Sequence, residues 1–166
     1  MSWVLNGLEL GPEVLEVGPG PGLTTDWLRR DARYVTAVEI DPVLAESLRS
    51  RMRGGNVTVV QGDASSIPFE DGKFTAAVSF TMLHHVPSRE LQDKILREVW
   101  RVLKPGGVFA GSDSLLSFSM RLIHIGDTMV LVDPQTFGSR LEAAGFRDVS
   151  VEATDEAFRF RARRPL

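Results

Sequence analysis

A glycine-rich loop behind a short apolar segment is the first feature of this sequence that could support chemistry. The segment Val14-Leu15-Glu16-Val17 runs directly into Gly18-Pro19-Gly20-Pro21-Gly22. Glycines in such a turn allow a ligand to approach the backbone closely, and prolines limit the flexibility that the glycines would otherwise bring. Taken alone, the loop is also compatible with a tight turn that binds nothing.

The spacing of these glycines and the acid before them indicate which ligand the loop would bind. A dinucleotide fold uses Gly-x-Gly-x-x-Gly to seat a pyrophosphate at a helix N-terminus, whereas the third residue after Gly20 is Leu23. Glu16 precedes the loop, and its carboxylate would repel a pyrophosphate but attract an ammonium group. The pattern therefore favours a ligand with a cationic end over NAD.

Two more carboxylates follow the next two apolar segments. Glu39 comes about twenty residues after the loop begins, where an acid meets ribose hydroxyls in nucleotide-binding sheets. Asp63 follows the third segment, where by itself it could equally form a local Asx turn. Because ligands of open α/β sheets bind beyond the carboxyl ends of the strands, three acids at three strand ends indicate one site.

The elements that would position these groups follow from the alternation of apolar segments with segments of helical period. Nearly continuous apolar segments are typical of strands buried on both faces of a parallel sheet, with helices on either side. The class is therefore α/β, with a doubly wound sheet. The predicted parallel strands are Val14–Val17, Tyr34–Val38, Val57–Val60, Phe74–Phe80 and Val108–Ser112.

Helices are predicted between these strands from their caps and stop signals. Serine or aspartate begins a helix, proline suits its first position, and proline or glycine ends it. The predicted helices begin at Leu23, at the Asp41-Pro42 cap, at Ser88 and at about Pro134, and the last three end before Gly54, Pro105 and Gly145.

The C-terminal residues predict an antiparallel hairpin. Asp148–Glu152 and Phe158–Arg163 are separated by a short polar turn, and the second segment alternates aromatic or small residues with arginines. A strand here would bury Phe158, Phe160 and Ala162 and point the arginines into solvent, as charged residues do on a protected edge strand. The alternative is a local basic patch for nucleic acid.

Composition limits the classes of function. With 166 residues, of which 43% are hydrophobic and 25% charged, the chain suits one globular domain, residues 1–166. The formal charge of −3 provides no general attraction to nucleic acid. The sequence shows neither an apolar run of about 18 residues nor a signal-peptide pattern, so we expect a soluble, cytoplasmic protein without a membrane span.

The absence of cysteine excludes several kinds of site at once. The sequence has no cysteine, so disulfides, thiolate nucleophiles and cysteine-ligated zinc are excluded. We predict no metal site in this chain.

Five motifs in order resemble the class I S-adenosylmethionine (SAM)-dependent methyltransferases, and more narrowly their small-molecule, type 11 branch related to ubiquinone/menaquinone biosynthesis methyltransferases. The resemblance covers nearly everything from Val14 to Arg164, and it implies a Rossmann-like, seven-stranded sheet that is mostly parallel with a C-terminal antiparallel hairpin. The motifs are the loop segment 14–22, Val38-Glu39-Ile40-Asp41, Gly62-Asp63-Ala64, Leu83-His84-His85-Val86 and Glu98–Gly107.

The resemblance also implies SAM as the cofactor and a set of residues around it. The implied contacts are Glu16, Gly18, Pro19, Gly20 and Gly22 around the methionine moiety, Ser79 and Phe80 lining its end, Glu39 at the ribose, Ile40 and Ala64 beside the adenine, and Asp63 at the adenine amino group.

The sequence departs from the family pattern in two places. The fourth strand begins Phe74-Thr75 where the family usually has Phe-Asp, which puts one polar contact near the site in doubt. Relatives usually carry helices upstream that cover SAM and shape the acceptor pocket, and Met1–Pro12 is too short for them, so we expect an N-terminally abbreviated fold. Its acceptor site would then be open, or completed by another chain such as a second copy, or the natural chain would begin earlier.

Methyl transfer from a sulfonium needs mainly positioning, because an in-line displacement gains most from holding the reactants together. An acceptor that must lose a proton would also need a base, and the histidines are His84, His85 and His124. His84 is the candidate catalytic residue, since it follows the fourth strand near the expected methyl group. A role in packing or hydrogen bonding is the alternative.

The apolar segment Ser114–Val132 is too long for a simple connection. We expect it to form a helix and part of an apolar acceptor pocket, with Arg121 and His124 as polar contacts, or else to be ordinary core.

The expected function is therefore SAM-dependent methyl transfer to a small-molecule acceptor. A SAM-binding protein without catalysis and a nucleic-acid methyltransferase are the alternatives. Ser79-Phe80-Thr81-Met82 does not match the Asn/Asp-Pro-Pro-aromatic motif typical of enzymes that methylate base amines, so we expect no nucleic-acid partner.

Overall fold

A seven-stranded sheet forms the centre of the computed structural model, which describes residues 2–115 and 129–166. The strand order is β3-β2-β1-β4-β5-β7-β6, and the pairs are parallel except β5–β7 and β7–β6. The predicted parallel strands and hairpin are confirmed. The strands are β1 Glu13–Val17, β2 Tyr34–Glu39, β3 Val57–Gln61, β4 Phe74–Phe80, β5 Leu103–Ser114, β6 Arg147–Ala153 and β7 Ala157–Arg163.

The helices begin at the caps that the sequence predicts. The Asp41 carboxylate accepts from Val43 N and Leu44 N at 2.8 and 2.9 Å, and the Ser88 hydroxyl accepts from Leu91 N at 3.2 Å. The helices are α1 Ser2–Leu5, α2 Leu23–Asp31, α3 Pro42–Arg51, α4 Arg89–Val102 and α5 Pro134–Ala143, with 3₁₀ turns at Ala64–Ser66 and Leu83–His85.

Both faces of the sheet are covered, as the continuous apolar strands require. Val14 on β1 belongs to a buried cluster with Leu28 of α2, whereas its neighbour Leu15 belongs to the opposite cluster with Val99 of α4 and Phe137 of α5. Successive residues of a strand point to opposite faces, so each strand contributes to both cores.

The prediction that β7 is an edge strand is wrong, whereas the predicted alternation of buried apolar residues with more exposed arginines is confirmed. β7 lies between β5 and β6, and Phe158 and Phe160 are buried as predicted. Arg161 instead donates from Nε and Nη2 to Val4 O at 3.0 and 2.6 Å, and from Nη2 to Asn6 O at 2.9 Å. The carbonyls at the end of a helix lack intrahelical donors, so Arg161 secures α1 against the sheet.

Thr75 was predicted to affect a polar contact near the site, but it lies far from the expected site. It stands at the amino end of β4, where its hydroxyl accepts from Glu13 N at 3.0 Å and donates to Leu10 O at 2.8 Å. The parallel strands place the loop after β1 at the other end of the sheet. The change from the usual aspartate therefore affects the segment leading into β1, not the ligand edge.

Among the described residues, we find no helix whose length and apolar character would allow it to cross a membrane.

The Arg161 contacts lead to a prediction about stability. Arg161→Met should lower the free energy of unfolding by about 1.5–3 kcal/mol, since hydrogen bonds from a charged donor to the α1 carbonyls are lost. Arg163→Met is the matched control on the same strand, because Arg163 is exposed and donates to Gly106 O at 3.2 Å. Urea denaturation of both variants is the measurement, and equal losses would contradict the proposed anchoring of α1.

Candidate functional site

The glycine loop is held at the carboxyl end of β1 by its own backbone. Gly18 N donates to Val38 O at 2.9 Å, and Gly22 N donates to Pro19 O at 2.9 Å. Gly18, Gly20 and Gly22 have φ values of 65°, 53° and 81°, in the left-handed region. For residues with a side chain, this conformation costs about 1–2 kcal/mol, so the turn depends on glycine.

The three glycines meet different surroundings. A Cβ on Gly18 would lie 2.2 Å from Met82 Cγ, and one on Gly22 would lie 2.4 Å from Leu48 Cδ1. A Cβ on Gly20 would meet nothing within 4 Å. A side chain at position 18 or 22 would therefore displace a neighbouring side chain, whereas Gly20 presents bare backbone to open space, where a ligand can approach it.

Glu39 connects the loop to the next strand. Its buried carboxylate accepts from Gly20 N at 2.9 Å with Oε2 and from Asp41 N at 3.0 Å with Oε1. Each carboxylate oxygen has a second lone pair, so these bonds leave capacity for hydroxyl donors. Glu39 therefore shapes the loop in addition to any contact with a ligand.

Glu16 is a buried acid below the loop. The side chain is 2% exposed, and Thr25 Oγ1 donates to its Oε2 at 2.5 Å. Burial raises the pKa of Glu16 to about 7 against the lowering effect of the Thr25 bond, and the charges of Asp26 and Glu39 raise it further. Within the described residues, no basic side chain pairs with Glu16, so a cationic ligand would supply the missing charge.

Asp63 and Ile40 lie at the next two strand ends. Asp63 Oδ1 accepts from Ser65 N at 2.7 Å and caps the 3₁₀ turn that Ala64 begins, so the local-turn interpretation of Asp63 is realised. Gly62 N donates to Glu39 O at 2.9 Å, which keeps this turn beside the end of β2. Ile40 is 66% exposed at the end of β2, so its apolar side chain is accessible to a ligand.

The end of β4 forms the other side of the loop. Ser79 is buried opposite Val17 of β1, and the Phe80 side chain packs with the core cluster around α1 and α2. Thr81 has φ 49°, which is strained for a β-branched residue, and Thr81 N donates to Ser112 O at 2.8 Å. This turn directs Met82 onto Gly18.

His84 lies just beyond this turn and is almost fully enclosed, at 2% exposure. Its ring Nδ1 bonds to Asp113 Oδ1, and its main-chain N donates to Asp113 Oδ2 at 3.2 Å. His85 on the same turn is exposed. The edge of the sheet thus carries acids on β1, β2 and β3 and a histidine–aspartate pair at β4 and β5.

A protein-family model described as a methyltransferase domain matches residues 15–111, which include the loop and the carboxyl ends of β1 to β4. The chain belongs to this family, the class I SAM-dependent methyltransferases. The match extends from within β1 to Gly111 of β5, two residues before Asp113.

Individual relatives of this methyltransferase domain agree in family and differ in acceptor. It is 31% identical over 146 residues to a methyltransferase of Synechocystis, covering 82% of this chain and 67% of that protein. It is 38% identical to a ubiquinone/menaquinone biosynthesis C-methyltransferase of Idiomarina loihiensis, over 61% of this chain and 42% of the relative. It is 35% identical to a probable ribosomal RNA small subunit methyltransferase A of Methanosarcina barkeri, over 60% of this chain and 34% of the relative. The chain thus spans less than half of the last two relatives.

Solved structures share the fold of this methyltransferase domain. A Haemonchus contortus phosphoethanolamine N-methyltransferase 2, in complex with phosphomonomethylethanolamine and S-adenosylhomocysteine, superimposes with a TM-score of 0.81 at 17% identity. The superposition covers 98% of this chain and 51% of that one. The seven-stranded fold that the sequence predicted is confirmed.

The structure brings most of the sequence-predicted residues to one edge, and it adds residues that the sequence analysis missed. Thr25, Met82 and Asp113 each contact a predicted site residue. The sequence did contain a signal for Asp113, because this acid comes directly after the predicted apolar strand Val108–Ser112, just as Asp63 follows the third strand. Arg121, His124 and the greater part of the segment Ser114–Val132 lie outside the described residues.

The two glycine environments predict different costs for the same substitution. Gly20→Ala should lower the free energy of unfolding by about 1–2 kcal/mol, the cost of a positive φ alone. Gly18→Ala should cost more, because its Cβ would also displace Met82. Chemical denaturation of the methyltransferase domain without ligand measures both, and a larger loss for Gly20→Ala would refute this assignment of space around the loop.

Proposed function

We propose that this domain transfers a methyl group from SAM to a small-molecule acceptor by in-line displacement, mainly through positioning. The observation that carries the proposal is the combination of Gly20, with open space above its backbone, and two buried carboxylates at the same strand ends. SAM carries an ammonium, a sulfonium and two ribose hydroxyls, and such a site offers complementary acceptors for all of them.

The cofactor contacts implied by the sequence become specific proposals on this geometry. The ammonium of SAM lies near Glu16 and the loop residues Gly18, Pro19, Gly20 and Gly22, and its ribose hydroxyls donate to Glu39. The adenine lies between Ile40 and Ala64, with its amino group donating to Asp63. Ser79 and Phe80 line the methionine end, and Phe80 does so with its backbone, because its side chain is directed into the core.

The contacts of the C-terminal arginines favour a small-molecule acceptor over nucleic acid. Arg161 binds the α1 carbonyls, Arg159 Nε bonds to Glu152 at 3.0 Å, and Arg164 bonds to Leu103 O at 2.6 Å and lies over the Trp100 ring. These three guanidinium groups are engaged within the fold, and of the four C-terminal arginines only Arg163 is exposed, which is less basic surface than phosphate contacts require.

Catalysis is tested separately from binding. Incubation with methyl-labelled SAM and a panel of small hydroxyl, amine and carboxylate acceptors should yield labelled product. A duplex or structured RNA substrate is the comparison. SAM binding without transfer to any acceptor would favour the binding-only alternative, and transfer to RNA alone would overturn the small-molecule proposal.

Glu39 should dominate ribose recognition. Glu39→Ala should weaken SAM binding about ten- to a hundred-fold, since a hydrogen bond to a charged acceptor contributes roughly 1.5–3 kcal/mol. Glu46→Ala is the control, because Glu46 is an exposed acid on α3 that pairs with Arg49. Isothermal titration calorimetry with SAM, its demethylated product and NAD is the measurement. Unchanged SAM affinity in Glu39→Ala, or a preference for NAD, would contradict the assignment.

Glu16 predicts a pH dependence of both stability and binding. The pKa of Glu16 is raised to about 7 in the folded protein, so the protonated side chain is favoured by folding. The resulting stabilisation of the fold is fully present below the pKa of Glu16 in the unfolded chain and is lost as the pH rises through about 7. Ionised Glu16 attracts the ammonium of SAM, so SAM affinity should rise over the same interval, by up to about tenfold per pH unit.

Chemical denaturation measures the trend in stability, and calorimetry measures the trend in SAM affinity. Both are carried out between about pH 5.5 and 8.5, because this interval spans the titration of a single group with a pKa of about 7. Glu16→Gln keeps the shape of the side chain and should remove both trends. A pH dependence that persists in Glu16→Gln would assign the titration to another group.

A further inference from the structure

A cavity of about 280 Å³ lies between α4 and α5. The two helices pack on the same face of the sheet, where Leu96 of α4 and Phe137 of α5 belong to one buried cluster. The cavity is lined only by residues of these helices and by Ala144 directly after α5, so no residue of the proposed cofactor site takes part. Its volume is just below the range of about 300–1,000 Å³ found for pockets of drug-sized ligands, which suits a smaller ligand.

The lining of this cavity is strongly positive. Arg89, Arg97 and Arg140 contribute three guanidinium groups and Asp93 contributes one carboxylate, which together give a net charge of +2. Arg89, Asp93 and Arg97 follow one another at intervals of four residues along α4, so they share one face of that helix. Like charges in one cavity repel each other, and a bound anion would remove that repulsion.

Arg140 is the buried member of this cluster, at 7% exposure. Its Nε donates to Asp93 Oδ1 at 2.6 Å, and its Nη2 donates to Gln92 Oε1 at 2.9 Å. Gln92 is fully buried and is held in turn by its bonds to Leu83 O and Val130 O, at 3.0 and 2.7 Å. These bonds fix the plane of the guanidinium before any ligand arrives.

The remaining amino group of Arg140 lacks an acceptor. Within residues 2–115 and 129–166, Arg140 Nη1 forms no hydrogen bond, although the side chain lines the cavity. A buried donor without a partner is unfavourable, and a ligand oxygen in the cavity would supply the partner. Because the guanidinium is already held in place, little side-chain entropy is lost when an anion binds to it.

Arg89 and Arg97 lie at the solvent side of the cavity. Both residues are exposed, and in the described part of the chain neither guanidinium forms an ion pair or a side-chain hydrogen bond. Arg101, one turn further along the same helix, differs because it bonds to Glu98 and Asp71. The donors of Arg89 and Arg97 are therefore available to a ligand.

We propose that this cavity binds a phosphate group, either free phosphate or a phosphate monoester of a small molecule. A phosphate monoester carries a charge of about −1.5 to −2 at pH 7, which matches the charge of the lining. The planar fork of arginine fits two phosphate oxygens at once. A carboxylate or a chloride ion neutralises only half of the charge, and the small volume excludes the extended backbone of a nucleic acid. The site is separate from the proposed methyl transfer and does not depend on it.

An NMR titration locates the site without any measurement of activity. Inorganic phosphate or glycerol 3-phosphate is added to the nitrogen-15-labelled protein at a constant ionic strength of about 0.15 M, where distant charges are largely screened. The amide signals of residues 89–97 and 139–144 should shift saturably, whereas those of the loop 18–22 should not. Tighter binding of glycerol 3-phosphate would identify a monoester as the ligand, and equal affinity would identify free phosphate.

Substitutions of exposed residues test the roles of the individual charges. Arg89→Gln and Arg97→Gln should each weaken phosphate binding about tenfold, because each removes a charged donor. Asp93→Asn should strengthen it about threefold to tenfold, since the repelling charge is lost while the amide oxygen can still accept from Arg140 Nε. Lys94→Gln is the matched control, because Lys94 is an exposed cation of the same helix outside the cavity lining, and its loss should change the affinity less than about twofold.

Several results would overturn the proposal. Equal shifts with chloride or acetate would show that only ionic strength acts, and an equal loss of affinity in Lys94→Gln would show that no particular arginine binds the anion. Shifts centred on the loop 18–22, or displacement of phosphate by SAM, would place the anion at the cofactor site instead. Shifts with RNA and with neither phosphate compound would assign this surface to nucleic acid. The amide map can be interpreted whether or not SAM binds, so failure of the proposed function would leave this test intact.

Discussion

The hydrogen bond from the Gly20 backbone to the buried Glu39 carboxylate is the interaction on which the rest of the site depends. It attaches the loop after β1 to the end of β2, and the other oxygen of Glu39 accepts from Asp41 N at the start of α3. One buried acid therefore sets the relative positions of a loop, a strand end and a helix. The loop can present bare backbone to a ligand because this acid holds Gly20, in addition to the backbone hydrogen bonds of Gly18 and Gly22.

The two halves of the ligand edge differ in how their acids are satisfied. Glu16 below the loop has a neutral hydroxyl partner, and its pKa is raised to about 7 by burial. Asp113 at the end of β5 accepts from two main-chain N–H groups and the His84 ring. An acid that lacks a cation favours binding of one, whereas an acid already saturated with donors favours orientation of its neighbour. The cofactor role proposed for the loop half follows from this difference.

Much of the fold could be predicted because its signals are local. The Asp41 and Ser88 caps, and the continuous apolar strands, depend on neighbours a few residues away. The edge assignment of β7 failed for the opposite reason. Alternation of Phe158 and Phe160 with arginines identifies two faces, but it does not show that β6 pairs outside β7 or that α1 supplies carbonyls to Arg161.

The sequence by itself determined the family, the order of the elements and the strand ends at which Glu16, Glu39 and Asp63 stand. These features are periodic or local, and motif spacing records them directly. Only the tertiary structure decided that Glu39 holds the Gly20 backbone, that Met82 closes over Gly18, and that Asp113 meets His84 from 29 positions away. Such contacts arise where parallel strands bring distant residues to one edge, and no short-range pattern in the chain encodes them.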